Sequence, residues 1–129
     1  MTDTEKITIN IGSVDLGRID LLVKEGFYSN RADFIRTAIR NQLERQSNTV
    51  DSIKSRKSMV IGTQIYTNRD LMEKKEENEM VNIRVVGMLI LTDDITPQLA
   101  LETIQSITVH GVFKAPEDVK EALKDRISS

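Results

Sequence analysis

A short stretch of strict alternation near the start of the chain constrains the fold most. In Lys6–Ile11 the isoleucines at 7, 9 and 11 share one face, and Lys6, Thr8 and Asn10 share the other. A period of two with one apolar face predicts a half-buried β-strand. Because the first 46 residues contain no second strand pattern, this strand has no partner within its own segment.

Two short amphipathic helices are predicted to follow the strand. The first is expected to start with Ser13 or Asp15 as its N-cap and to stop at Gly26, since glycine adopts a positive φ without strain. Its apolar side chains recur at helical spacing: Leu16, Ile19, Leu22 and Val23. The second is predicted over residues 30–45 with Ser29 as N-cap. Its apolar stripe comprises Ile35, Ala38, Ile39 and Leu43.

One strand and two short helices bury too little surface to be stable alone. The unpaired strand also leaves its backbone N–H and C=O groups without partners. Pairing with the same strand of a second copy solves both problems. We therefore predict an α+β protein whose first domain is an intertwined homodimer, with a two-stranded antiparallel ribbon packed on four helices.

The polar face of such a ribbon suits double-stranded DNA. A two-stranded ribbon fits the major groove of B-DNA. Lysine donates to guanine O6 or N7, asparagine forms two hydrogen bonds with adenine, and threonine bonds a base or contacts the thymine methyl. Lys6, Thr8 and Asn10 are therefore the predicted base-contacting residues.

The start of the second helix is the predicted phosphate-contacting site. Free N–H groups and the helix dipole favour an anion at a helix N-terminus. Ser29, Asn30 and Arg31 lie at that end. Phosphate contacts there would fix the position of the ribbon without carrying sequence information.

Two stretches also carry a resemblance to a known family. Lys6–Ile11 is similar to a K/R-x-T-x-T/N ribbon, and Ser29–Arg40 is similar to an S-x-R-S-E-F-I-R-x-A-I helix start. Lys6–Arg45 thus resembles the ribbon-helix-helix regulators of the CopG/Arc/MetJ type. Ala32 replaces the common serine and Asp33 the common glutamate, and neither change affects the proposed contacts. The resemblance implies a dimer that recognises operators through its ribbon, usually as a transcriptional repressor.

The charge distribution agrees with a local DNA-binding surface. The chain has a net charge of −2, but residues 1–57 hold 10 basic and 8 acidic residues, whereas residues 58–129 hold 8 and 12. The first part therefore carries +2 and the second −4. For DNA binding a local basic surface matters more than the sum over the chain.

Composition excludes several other classes of protein. The absence of cysteine excludes disulfides and thiolate metal sites, and the single histidine, His110, excludes a histidine-rich metal site within one chain. We find no nucleophile–base pair, so we predict no enzyme, no metal and no cofactor. The sequence has neither a signal region at its start nor an apolar stretch near the ~20 residues of a membrane span. A cytoplasmic protein is expected.

The second half is predicted to be a separate domain. Residues 47–58 are polar and serine-rich and are interpreted as a linker, with Lys54, Arg56 and Lys57 more typical of a solvated segment than of DNA phosphate contacts. Beyond them Gly62, Gly87 and Gly111 each follow a short apolar run. We predict domains at 1–46 and 59–129 joined by this linker.

The glycine spacing indicates a weak internal repeat. Each glycine is followed by a second extended piece and a helix-like segment, starting near Asp70, at Thr96-Pro97 and at Ala115-Pro116. Repeats of this length stack because none buries its apolar face alone. Chance similarity among short strand–helix pieces is the alternative. We expect residues 59–129 to form a small α/β stack that assembles dimers into tetramers or larger arrays.

Three functions stay open at this stage. The first is a transcriptional regulator. The second is an antitoxin whose C-terminal half covers a toxin, which the patterned apolar runs disfavour, since such segments are often disordered. The third is a structural protein in which the C-terminal repeat polymerises. The pair Asp93-Asp94 and His110 are interpreted as turn and packing residues rather than ligands.

Overall fold

The computed structural model describes residues 4–128 and divides into two compact units, one up to Thr49 and one from Val50 onward. Within the described range there are six α-helices, one short 3₁₀ helix and one parallel sheet of four strands. No helix in this range has the length and apolar character needed to cross a membrane.

The first unit contains α1 (Ser13–Lys24) and α2 (Arg31–Arg45). The prediction that Ser13 or Asp15 caps α1 is wrong. Gly12 is the N-cap, with extended backbone and no side-chain hydrogen bond, so both predicted residues already lie in the first helical turn.

The end of α1 confirms the role predicted for Gly26. Its φ is +88°, its N–H donates to the carbonyl of Val23 at 3.1 Å, and the N–H of Phe27 donates to the carbonyl of Leu22 at 3.0 Å. These two bonds form a Schellman motif, which satisfies carbonyls that the helix end leaves free.

The cap of α2 lies one residue later than predicted. Asn30, not Ser29, is the N-cap, and its side-chain oxygen accepts from the backbone N–H of Asp33 at 2.8 Å. The N–H of Ser29 donates to the carboxylate of Asp33 at 2.9 Å. Serine and asparagine are comparable caps, so residue type alone did not separate them.

The polar stretch predicted as a linker is instead a helix, α3 (Ser47–Lys57). All its side chains except that of Val50 are exposed. The stretch lacks glycine and proline, so nothing in it prevents a helix.

The second unit is a parallel sheet with the strand order β1-β2-β3-β4. Its strands are β1 (Val60–Tyr66), β2 (Val81–Leu91), β3 (Ile104–Lys114) and β4 (Ile127–Ser128). Each apolar run and the extended piece after its glycine form one continuous strand, which the sequence did not reveal.

Three helices connect the strands: α4 (Asn68–Glu76), α5 (Pro97–Thr103) and α6 (Glu117–Leu123). The 3₁₀ helix Lys124–Arg126 follows α6. The predicted cap at Thr96 with proline at the first helical position is confirmed, since the Thr96 hydroxyl accepts from the N–H of Leu99 at 3.2 Å.

Thirteen buried apolar side chains form one cluster in this unit. They come from alternate positions of β2 and β3, such as Val85 and Ile107, and from the three helices, such as Leu71 and Leu123. Because neighbouring positions on a strand point to opposite faces, all three helices cover the same face of the sheet. The other face is left without a helix layer within the described residues.

The repeat glycines stand side by side in the sheet, with Gly62 opposite Gly87 and Gly87 opposite Gly111. All three have a φ between +127° and +134°, which disfavours a side chain. A Cβ on Gly87 would collide with the carbonyl of Gly62, and one on Gly111 with the carbonyl of Gly87. The glycines therefore permit a close approach between strands.

Asp94 and His110 also lie in this unit. The carboxylate of Asp94 accepts hydrogen bonds from the Thr92 hydroxyl and, at 3.3 Å, from the N–H of Asn68, which lowers its pKa. Asp94 thus holds the start of α4, as expected of a turn residue. His110 is exposed on β3.

Candidate nucleic-acid interface

The segment from residue 4 to residue 12 precedes α1 and pairs with no other part of the described chain. Its three isoleucines are strongly exposed: Ile7 by 74%, Ile9 by 63% and Ile11 by 44%. The strand predicted over Lys6–Ile11 is therefore not hydrogen-bonded to another strand of the described chain. It is also not packed inside the subunit, since its three isoleucines are all exposed among the described residues.

Below this segment the first unit has an apolar hollow of about 300 Å³. It is lined by Ile11, Ile19, Leu22 and Phe34, with Asp15 and Arg18 at its margin. Ile19 is the one buried side chain between residues 4 and 49. The hollow and the exposed isoleucines together form an apolar surface that a single chain leaves uncovered.

The predicted base-contacting side chains, Lys6, Thr8 and Asn10, are all exposed on this segment. Each alternates with an isoleucine, so a strand formed here would place all three on the face opposite the apolar one. No hydrogen bond or ion pair among the described residues joins them to Ser29, Asn30 or Arg31. The structure therefore shows two separate groups, one on the segment and one on α2.

Ser29, Asn30 and Arg31 lie together at the N-terminus of α2. The side-chain oxygen of Asn30 accepts a hydrogen bond from the N–H of Asp33, and the carbonyl of Asn30 accepts one from the N–H of Phe34. The amides of Arg31 and Ala32 have no acceptor among residues 4–128. Free amides at a helix start suit a phosphate oxygen, although the Asp33 carboxylate is already present in this turn.

The side chain of Arg31 is bound within the chain. Its Nε and Nη2 each donate to one carboxylate oxygen of Asp20 on α1, both at 2.8 Å. This paired hydrogen bond lowers the pKa of Asp20 and raises that of Arg31. Both side chains are about half exposed, at 57% for Arg31 and 46% for Asp20, so solvent weakens the attraction.

Sequence reasoning missed Asp20 as the partner of Arg31. The two residues are 11 positions apart, across the turn between the helices, and only the packing of α1 on α2 brings them together. Opposite charges near the facing ends of two adjacent helices were the available signal. The pair adds a second role for Arg31: it holds the start of α2 against α1.

The family assignment agrees with this arrangement. The sequence model of the Ribbon-Helix-Helix transcriptional regulator family matches residues 2–120, which cover most of both units. The chain therefore belongs to the Ribbon-Helix-Helix transcriptional regulator family. Searches of curated proteins and of solved structures gave no match. Membership of the family implies DNA binding and dimerisation, and the earlier resemblance of Lys6–Arg45 is confirmed.

Proposed function

We propose that this protein is a homodimeric, sequence-specific DNA-binding regulator without enzymatic activity. The proposal rests on the unpaired segment, whose three exposed isoleucines lie above an open apolar hollow. In the proposed dimer this segment pairs with its counterpart in a second copy, and both sets of isoleucines become buried. The ribbon then places polar side chains from two chains in one major groove.

The six predicted contact residues have distinct proposed roles. Lys6, Thr8 and Asn10 contact base edges, which gives sequence discrimination. Ser29, Asn30 and Arg31 contact the phosphate backbone through backbone amides and a guanidinium, which sets the position of the ribbon. Asp20 already binds the guanidinium of Arg31. On DNA binding, the guanidinium therefore either contacts the carboxylate and a phosphate together or leaves the carboxylate for the phosphate.

The test begins with selection of bound sites from random duplex DNA at several salt concentrations. On the selected site, Asn10→Ala is expected to cost about 1–3 kcal/mol, with little effect on random DNA. Asn48→Ala, an exposed asparagine of α3, is the matched control. Equal loss of selected and random binding in the Asn10 variant would contradict a base-recognition role.

Repression in the cytoplasm, by occupying an operator, is the regulatory mode we propose, and a reporter assay decides its sign. The antitoxin alternative is less favoured, because the second unit already has its own buried core and needs no toxin to fold. A co-purifying partner protein that contacts this unit would revive that alternative.

A second proposed property is assembly of dimers through the sheet. β1 is an edge strand with one neighbour, and Ile61 and Ile65 on it are exposed by 47% and 53%. At the other edge β4 pairs only with Ile107 and Thr108 of β3. From Val109 to Phe113 the outer edge of β3 has no strand neighbour among the described residues, and such an edge is a template for another strand.

The register of the two edges suggests a second copy of this chain as the partner. Val60 of β1 lies opposite Val85, which lies opposite Val109 of β3. A β1 strand from another copy, placed in the same register, would begin at Val109, next to the position where β4 ends. Gly62 would then face Gly111, continuing the glycine row.

Light scattering of the full chain over a concentration series tests this assembly. Ile61→Lys combined with Ile65→Lys should limit the protein to dimers, because charge on an edge strand opposes further pairing. Met80→Lys, at a side chain exposed by 45% outside the strands, is the control. Unchanged higher assembly in the double variant would remove the β1 edge from the proposal.

A further inference from the structure

The sheet face without helices carries a polar cleft of about 490 Å³. Four basic side chains line it: Arg56, Lys57, Arg84 and His110. Three hydroxyl side chains also line it: Ser58, Thr108 and Ser128. We call this site the basic cleft. No carboxylate from the described residues lines it.

The register of the sheet builds the floor of the basic cleft. Arg84 lies opposite Thr108, and Thr108 lies opposite Ser128, with 3.0 Å between the hydroxyl oxygens of the last two. The three side chains thus form one row across β2, β3 and β4. His110 follows two positions after Thr108 and therefore points to the same face.

The end of α3 builds the wall. Ser58 has a φ of +53°, which turns the chain sharply after Lys57. The N–H of Met59 donates to the carbonyl of Lys54 at 2.9 Å, and the Met59 side chain is 5% exposed. The buried methionine anchors the turn, so Arg56 and Lys57 are held at the margin of the cleft.

Among residues 4–128, no carboxylate that lines the basic cleft balances its positive charges. Elsewhere in this unit Lys75 pairs with Glu102 at 2.8 Å, and Arg126 donates to two backbone carbonyls. Arg84 has neither an ion pair nor a hydrogen bond among the described residues. Its guanidinium offers five N–H donors in a fixed planar arrangement that matches phosphate oxygens.

We propose that the basic cleft binds a small multivalent phosphate-bearing anion. Guanidinium, ammonium, imidazole and hydroxyl groups converging on one concave surface are typical donors for such a ligand. The volume lies within the range of small-molecule sites, about 300–1,000 Å³. A concave site walled by a helix end favours a small ligand over the backbone of a DNA duplex, which presents a convex surface.

Isothermal titration calorimetry tests the proposal. Inorganic pyrophosphate is titrated into the full-length protein at constant ionic strength. Wild type should show saturable binding, and Arg84→Gln should weaken it at least about tenfold, the loss expected for a charged hydrogen bond. Arg84→Lys should retain part of the affinity. Arg69→Gln, at a side chain exposed by 90% on α4, should bind like wild type.

Three results would overturn the proposal. The first is a wild-type signal no larger than that of chloride at equal ionic strength. The second is equal affinity in Arg84→Gln and wild type while circular dichroism shows both to be folded. The third is absent pyrophosphate binding together with weaker binding of Arg84→Gln to random duplex DNA, which would assign the cleft to the DNA backbone.

Discussion

The two units of the chain bury their apolar side chains in different ways. The second unit encloses thirteen apolar side chains in one cluster, and Leu71, Val85 and Leu89 are fully buried. Between residues 4 and 49 the first unit buries Ile19 alone. Burial of apolar surface is the main favourable contribution to folding. The second unit therefore contains its own interior, whereas the interior of the first is expected to form between two chains.

The largest expected effect is that of a charge on the apolar face of the ribbon. Ile9 is exposed by 63% in one chain, so Ile9→Lys should not disturb a monomer. In the proposed dimer the change removes two buried isoleucines, about 3–6 kcal/mol per dimer at about 1.5–3 kcal/mol each. Analytical ultracentrifugation should show dissociation, and DNA binding should be lost.

Met72→Lys is the control for this charge, because Met72 is exposed by 39% on α4 of the other unit. It should leave the dimer intact. A dimer that persists in Ile9→Lys would show that the interior of the first unit does not form between two chains.

A cavity in the second unit is expected to have the next largest effect. Leu89→Ala should lower the free energy of unfolding by about 2–5 kcal/mol. Because this interior lies within one chain, the loss should be the same at all protein concentrations in urea titrations. Ile53→Ala, at a side chain exposed by 37%, should cost far less. A concentration-dependent loss at Leu89 would mean that this core also depends on a partner.

Removal of the α2 cap should have a smaller effect. Asn30→Ala leaves the N–H of Asp33 without its acceptor and should cost about 1 kcal/mol. Ser29→Ala should cost less, since the structure gives that side chain no capping bond. Urea unfolding of both variants compares them, and a larger loss at Ser29 would contradict the observed cap.

The smallest effect on stability is expected at the Asp20–Arg31 pair. Arg31 lowers the pKa of Asp20, so the pair stabilises the fold above the ordinary aspartate range, and acidification through the lowered pKa removes that contribution. In Arg31→Ala, NMR titration should show the Asp20 pKa rising toward its usual value. An unchanged pKa would contradict the pairing.

The same pair sharpens the DNA-binding proposal. Asp20→Asn should release Arg31 for phosphate and strengthen binding to all duplexes, whereas Arg31→Ala should weaken it and reduce the salt dependence. Arg36→Ala, at another exposed arginine of α2, is the control. Weaker binding by Asp20→Asn would show that Asp20 positions Arg31 rather than competing for it.

The two helices of the first unit were predictable because their signals are local. The stop at Gly26 and the helical spacing in α2 each depend on neighbouring residues, whereas the strand predicted over Lys6–Ile11 is not formed within the described chain. The cap of α2 was misplaced by one residue because Ser29 and Asn30 are equally suitable. The contact between Asp20 and Arg31 depends on helix packing, which no local pattern contains.

The second unit was less predictable because its strands have little alternation. β2 is apolar at most positions on both faces, so the sequence pattern did not show how long the strand is or that it continues through Gly87. Glycine ordinarily marks a turn or bulge, which led to the prediction of two extended pieces rather than one strand. The basic cleft joins residues from α3, β2, β3 and β4, and only the parallel register brings them together.

The row of glycines restricts how this unit can change length. Gly87 and Gly111 admit the carbonyl of the preceding strand where a side chain would otherwise stand, so the strands stay aligned only at this one offset. Inserting a single residue into β2 would move the glycine out of the row. Duplicating or deleting a whole strand–helix module, at the observed spacing of 24 or 25 residues, would preserve the row. Length variation among related chains is therefore expected in whole modules or in the connections to the helices.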